Sequence, residues 1–225
     1  MIMAASPLPV VILISGRGSN LQSIIDAVAQ KWLAIDIRAV ISNRPAAAGL
    51  QCAREAGITV EIVDHTQFPD RRAFDQALLS CIEHFQPALV VLAGFMRILT
   101  DEFVQHYQGR MLNIHPSLLP AFPGMDTHRR ALQAGCSQHG ASIHFVTEAV
   151  DGGPVVLQAQ VPVQADDTAT TLAARVLQQE HRLYPLAISW FAEQRLQLDS
   201  SGQATLDGKV LTGPVILEQE SQTPC

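Results

Sequence analysis

The 225-residue chain is short of cysteine, of charge and of long apolar runs, and each shortage removes a class of protein. Cys52, Cys81, Cys136 and Cys225 are widely spaced, with no Cys-x-x-Cys pair, so neither a disulfide framework nor a thiolate zinc site is indicated. Charged residues make up 16% against 48% hydrophobic, a balance that argues against disorder. No apolar stretch approaches bilayer-crossing length, so no membrane role is expected. Residues 1–9 lack the basic start, long apolar core and small-residue cleavage site of a secretory signal, so the cytoplasm is the expected location. The net charge is -6 with a pI near 5.7 and no Lys/Arg cluster. That makes a nucleic-acid partner held through its phosphates an unpromising expectation and favours small-molecule substrates. Two catalytic signatures are missing as well. There is no His-Glu-x-x-His pair, and His128, His139 and His144 lack tight ligand spacing, so no metal is expected. No serine sits in a Gly-x-Ser-x-Gly elbow.

What is present is an alternation of two periods. Residues 10–14 form a continuous β-branched run, followed by glycines and then by Leu21, Ile24, Ile25 and Val28 at helical spacing, which predicts strand, loop and helix. The pattern repeats with strand at 37–41, helix at 47–56, strand at 59–63, a helix carrying Phe74, Leu78, Cys81 and Phe85, and strand at 89–92. Such runs imply an α/β fold with a parallel sheet covered on both faces and ligands at the strands' carboxyl ends. After Met111 the pattern loosens into strand at 112–114, a proline-rich loop at 116–123, strands at 142–146 and 154–163 and a long helix at 170–192. Asp207-Gly208 predicts a two-residue hairpin turn, and the last ten or so residues read as tail.

Two local features carry chemistry. Gly16 to Asn20 lie between the first strand and the first helix, where backbone N-H groups and the positive helix end suit an anion. No Gly-Lys-Ser/Thr follows, and Leu21 stands where a dinucleotide fingerprint needs its third glycine, so a phosphomonoester fits better than ATP or NAD. The loop alone leaves open a plain strand-to-helix turn. In Leu112-Asn113-Ile114-His115-Pro116 the strand period places Asn113 and His115 on one face, and the proline ends the strand there. An amide donor beside a protonatable ring suits a tetrahedral acyl intermediate. Asp151, opening the turn Asp151-Gly152-Gly153-Pro154, is expected to reach back, orient His115 and favour its imidazolium form. Taken singly, each of the three residues is also compatible with an ordinary loop or turn role.

Together the motifs resemble a known family. Ser15-Gly16-x-Gly18-Ser19-Asn20-Leu21, Ala93-Gly94-Phe95-Met96-Arg97-Ile98-Leu99, Asn113-Ile114-His115-Pro116-Ser117-Leu118-Leu119-Pro120 and His144-Phe145-Val146-Thr147 with Asp151-Gly152-Gly153 are similar to segments of the formyltetrahydrofolate-dependent formyltransferases, specifically of the glycinamide ribonucleotide enzymes. The resemblance implies a Rossmann-like three-layer α/β/α fold, mostly parallel with antiparallel C-terminal additions. It implies one domain at 8–198, with a phosphate-binding half at about 8–108 and a folate and catalytic half at about 109–198, followed by a hairpin and tail at 199–225. It also implies formyl transfer from 10-formyltetrahydrofolate to the amine of glycinamide ribonucleotide, with Asn113, protonated His115 and Asp151 at the reacting carbon. The phosphate then belongs on Gly18, Ser19 and Asn20, and the ribose against Glu180. The folate belongs beside Met96, Arg97, Ile98 and Leu99, its glutamate tail near Arg71, and its pterin against Thr147, Glu148, Ala149, Val150 and Asp151.

Two positions depart from the resemblance: Asp126, where family members often carry His, and Leu177, where an amide is common. Asp126 either places a second carboxylate near the centre or points to solvent, the latter being expected. Other functions remain to be weighed. Formyl-folate hydrolases are expected to carry a regulatory domain ahead of the first strand, and methionyl-tRNA formyltransferases a C-terminal nucleic-acid domain and a basic surface. A non-catalytic phosphate-binding module explains the glycine loop but gives Asn113, His115 and Asp151 nothing to do.

Overall fold

The computed structural model describes residues 6–218. Strands β1 (Leu8–Ile14), β2 (Ile35–Ser42), β3 (Val60–Ile62) and β4 (Leu89–Leu92) alternate with helices α1 (Ser19–Ala29), α2 (Gly49–Glu55) and α3 (Arg71–Glu83). Then come α4 (Asp101–His106), β5 (Met111–His115), α5 (Thr127–Gln133), β6 (Gln138–Phe145), β7 (Val155–Pro162) and α6 (Ala169–Ala192). Strands β8 (Leu196–Leu198), β9 (Ala204–Leu206), β10 (Lys209–Val210) and β11 (Val215–Leu217) complete the described chain.

Eight strands form one sheet in the order β11-β7-β6-β5-β4-β1-β2-β3. Pairing is parallel from β3 to β5 and antiparallel across β5-β6-β7, the expected mostly parallel sheet with antiparallel additions. Alternation of side chains across the pleat divides the core in two. Val10, Ile12 and Ile14 face α1, α2 and α6, whereas Val11 and Leu13 face α3 and α4. Both faces of β4 and of β1 from Val10 onward are dry, which is why these stretches read as continuous apolar runs.

The hairpin turn at Asp207-Gly208 joins β9 to β10 in a three-stranded sheet with β8. The stretch after Leu211, for which the pattern suggested no role, supplies β11, which pairs in parallel with β7 at the edge of the main sheet. The expectation of a tail is thereby corrected for its first residues; the rest, 219–225, lies outside the described residues. Cys52, Cys81 and Cys136 are free, and Cys225 is likewise outside them. No helix among the described residues is long and apolar enough to cross a membrane.

The order of the strands decides where a site forms. The chain winds outward from β1 to β2 and β3, then returns to place β4 on the other side of β1. This reversal opens a crevice beyond the carboxyl ends of β1 and β4, the place where open α/β sheets take ligands. The register Leu13↔Leu92↔Asn113↔His144 runs one row across β1, β4, β5 and β6. The glycine loop after β1 therefore stands two strand spacings, about 10 Å, from Asn113. Tyr184 of α6 seals the underside, its hydroxyl 2.9 Å from the carbonyls of both Leu92 and Leu112.

Candidate active site

Helix α1 begins immediately after Gly18, whose φ of 80° lies in the left-handed region. No side chain caps the helix, so N-H groups of its first turn remain available to an anion. Gly18 is required for a second reason: a Cβ there would stand 2.5 Å from the Gly49 Cα at the start of α2. Gly49 N-H also donates to the Gly16 carbonyl at 3.0 Å, so the loop is fastened to α2. Asn20 Nδ2 donates to Glu180 Oε2 of α6 at 2.6 Å. Burial raises the Glu180 pKa against the opposing effect of that bond. Gly18, Ser19, Asn20 and Glu180 thus form one group, with half-buried Leu177 on the preceding turn of α6.

Asn113 and His115 project from the same face of β5, as the strand period requires. His144 stands opposite Asn113 across the β5-β6 pair. Its Nδ1-H donates to the Phe145 carbonyl at 2.9 Å, leaving Nε2 to accept one N-H of Asn113 Nδ2 at 3.0 Å. The Asn113 amide is thereby oriented with its second N-H free for another acceptor. Asp151 reaches the same place from the β6-β7 connection: its Oδ2 is 3.4 Å from His115 Nδ1 and its Oδ1 is 3.7 Å from His144 Nε2. The Gly124 N-H holds the carboxylate at 2.8 Å. Both glycines after Asp151 are packed too closely for a side chain: at Gly152 a Cβ would stand 2.7 Å from the Ala149 Cβ. At Gly153 a Cβ would meet the Phe145 carbonyl oxygen at 1.9 Å, so only glycine lets the connection lie against the end of β6 and bring Asp151 back.

The electrostatics correct one expectation. Burial is the largest influence on His115 and carries its pKa below the ordinary histidine value. The Phe122 carbonyl and Asp151 pull upward, as expected of Asp151, but do not prevail. Without substrate the ring is therefore mostly neutral at pH 7 rather than imidazolium. Its Nε2-H donates to the Phe122 carbonyl at 2.9 Å, which turns Nδ1 toward Asp151. For Asp151, burial acts to raise the pKa, yet the His144 ring, the Gly124 N-H and the nearby His115 ring together leave it lowered and the carboxylate ionised.

The remaining predicted residues lie around this centre in separate groups. Met96 and Ile98 are 65% and 56% exposed while Leu99 is buried, giving an apolar lip beyond β4. The Arg97 guanidinium lies 4.7 Å above the Phe74 ring. Arg71 is not drawn into the centre; it shares a surface cavity of about 260 Å3 with Arg72, Thr100, Asp101 and Glu102. Thr147 to Asp151 form a turn closed by Gly152 N-H to the Ala149 carbonyl at 3.0 Å, with Val150 exposed and Glu148 accepting from Gln105. Asp126, at φ 57° before α5, is exposed and ion-paired with Arg129; it adds no second carboxylate to the centre. A cavity of about 300 Å3 lined by Leu119, Pro120, Pro154, Val155 and residues of the 202–214 segment contains none of the predicted residues. The predicted catalytic residues converge elsewhere, through the Asn113-His144 hydrogen bond and the close approach of Asp151 to both histidines. Sequence reasoning gave His144 no role at this centre, although it lies in one of the resembling segments; its signal is the strand register, a tertiary quantity.

Residues 8–188 match the model of the formyl transferase family. The chain is 54% identical over 202 residues to the phosphoribosylglycinamide formyltransferase of Escherichia coli (strain K12), covering 90% of this chain and 95% of that protein. It is 45% identical to part of the human trifunctional purine biosynthetic protein adenosine-3, covering 86% of this chain and 19% of that one. Among solved structures, the phosphoribosylglycinamide formyltransferase of Coxiella burnetii in complex with CHES superposes with a TM-score of 0.88 at 51% identity, covering 93% of this chain and 99% of that one.

Proposed function

This chain belongs to the formyl transferase family, and from that premise we propose that it transfers the formyl group of 10-formyltetrahydrofolate to the amine of glycinamide ribonucleotide in purine biosynthesis. The observation that carries this reading is the convergence of Asn113, His115, His144 and Asp151 on one edge, two strand spacings from an uncapped glycine loop. The loop takes the phosphate on the N-H groups around Gly18, Ser19 and Asn20, and Glu180 takes the ribose. Met96 to Leu99, Arg71 and the Thr147 to Asp151 turn line the folate side, where the exposed Met96 and Ile98 suit an apolar ring system. Both substrates are small molecules, and the working compartment is the cytoplasm.

The amine nitrogen forms its bond to the formyl carbon, and the bond from that carbon to the folate nitrogen breaks. The proton lost by the amine is the one the folate nitrogen gains, so the reaction is neutral overall. The protein supplies orientation of the two reactants and donors for the formyl oxygen as it gains charge. One donor is the Asn113 N-H that His144 leaves free. The other is His115, whose N-H is given to the substrate oxygen in place of the Phe122 carbonyl. When His115 takes up a proton at Nδ1, which faces Asp151, the ionised carboxylate stabilises the resulting imidazolium, and Asp151 relays protons through water.

The test is an assay of purified protein with 10-formyltetrahydrofolate, comparing glycinamide ribonucleotide with water as acceptor. The amine substrate is expected to be formylated, and His115→Ala to lose about 10²- to 10⁴-fold in rate. Turnover with water alone identifies a hydrolase; no formylation by wild type, or full activity in His115→Ala, removes the proposal.

A further inference from the structure

Resting on that functional reading, we infer that the Ser15 hydroxyl is a positioning group that couples the phosphate and folate subsites, so that each substrate binds more tightly when the other is present. Ser15 is the residue between β1 and the glycine loop, at the crevice where the strand order reverses. It is 4% exposed and every polar atom of its N-H and side chain is engaged. Its backbone N-H donates to the Gly94 carbonyl at 3.1 Å. Its Oγ accepts the Met96 N-H at 2.7 Å and donates to Asn43 Oδ1 at 2.5 Å.

These contacts join two walls that share no sequence. On one side, Gly16 and Gly18 are fastened to Gly49 of α2, so Ser15 and the loop are held as a unit. On the other, the segment from Gly94 through Met96 to Ile98 turns out to solvent after β4, and Ser15 grips it through both backbone and hydroxyl. Asn43, only 1% exposed, is itself tied down: its carbonyl accepts from His65 Nδ1 at 2.7 Å and its Nδ2 lies 3.4 Å from that nitrogen. The single Ser15 hydroxyl hydrogen is committed to Asn43, so its role toward Met96 is fixed as acceptor. Ordering the glycine loop around a phosphate thereby restricts Met96, and ordering Met96 against a folate restricts the loop. Linkage makes the two effects equal in free energy. Removing the hydroxyl leaves Asn43 Oδ1 without its buried partner, deprives the Met96 N-H of its acceptor and cuts the side-chain link, while the Ser15-Gly94 backbone bond stays.

Calorimetry on the full chain measures this directly, titrating glycinamide ribonucleotide alone and with saturating tetrahydrofolate, which has no formyl group to give, and then in the reverse order. The wild type is expected to bind each ligand at least about fivefold more tightly in the presence of the other. In Ser15→Ala that factor is expected to fall to near one, and in the near-isosteric Ser15→Cys, with its weak donor and acceptor, to an intermediate value. A wild-type factor of one overturns the inference. So does a Ser15→Ala protein that weakens both ligands alike while keeping the wild-type factor, the behaviour of a merely structural residue. If Ser15→Ala does not fold, Ser15→Cys decides: a reduced factor supports the coupling and an unchanged one overturns it. A wild type that binds neither ligand overturns the functional reading itself, whereas binding of both with a factor indifferent to Ser15 overturns only the coupling.

Discussion

The two halves of the molecule contribute to the site by opposite physical means. The half built on β1 to β4 offers main chain: a left-handed glycine, an uncapped helix start and a loop fastened by backbone contacts. The half built on β5 to α6 offers buried side chains, and the buried histidines among the described residues, His115, His139 and His144, all lie there. Main-chain recognition does not titrate and is contained in a few consecutive residues. Side-chain recognition does titrate and is assembled by strand register. One site therefore has a half that pH leaves alone and a half that pH can dismantle.

Acid is the strongest way to separate the halves. Burial first, and then His128, carries the His139 pKa down to about 4 from an ordinary 6.5, and burial likewise lowers His128 and His115. His128 and His139 pack edge to face, 5.1 Å between centroids, so neither escapes the other. The folded state keeps these rings neutral where the unfolded chain protonates them. Between pH 6.5 and about 4 the unfolded state therefore binds more protons, and stability falls as pH falls. His139 alone contributes ~3 kcal/mol to that loss. Denaturant unfolding at pH 7, 6, 5 and 4 is expected to show it, with most of the decline removed in His139→Gln; a flat profile over this window contradicts the neutral-histidine description of the second half.

The converse experiment attacks the backbone half. Gly18→Ala places a Cβ against the Gly49 Cα and holds a non-glycine residue at φ 80°, with an expected cost of about 2–4 kcal/mol. The KM for the phosphate-bearing substrate is expected to rise about tenfold or more with kcat at saturation largely kept, the signature of lost binding common to ground and transition states. A Gly18→Ala enzyme with unchanged KM and impaired kcat makes the loop part of the chemistry and erases the contrast.

The same contrast governs what could be read from the sequence. The glycine loop, the apolar strands and the long helix were legible because each is a local pattern: α6, predicted at 170–192, spans Ala169–Ala192. Helices α4 and α5, of six and seven residues, span less than two turns and lack the two clear flanking strands that marked the equally short α2, and β11 depends on pairing with β7, more than fifty residues earlier. Asn113 and His115 could be put on one face from two-residue spacing alone. His144 could not be put beside Asn113, because that contact exists only in the register of β5 against β6. The attraction of Asp151 for a protonated His115 was foreseeable in sign, but burial, which outweighs it, belongs to the folded ring and not to its neighbours in sequence.

The smallest expected effect tests where the titrating half ends. Asp126 follows the proline-rich loop after His115 in sequence and carries a charge where the resemblance often places His, so a substitution there ought to matter if the centre extended that far. In the fold its side chain is 58% exposed and its partner is Arg129, on the surface. A surface pair of this kind is worth at most about 1 kcal/mol, and Asn is at ease in the left-handed conformation that Asp126 adopts. Asp126→Asn is therefore expected to change stability by no more than about 0.5 kcal/mol, with kcat and its pH dependence as in the wild type. A shifted pH profile in that variant means that the carboxylate is felt at His115 when substrates are bound, and the boundary of the charged centre then moves outward to the start of α5.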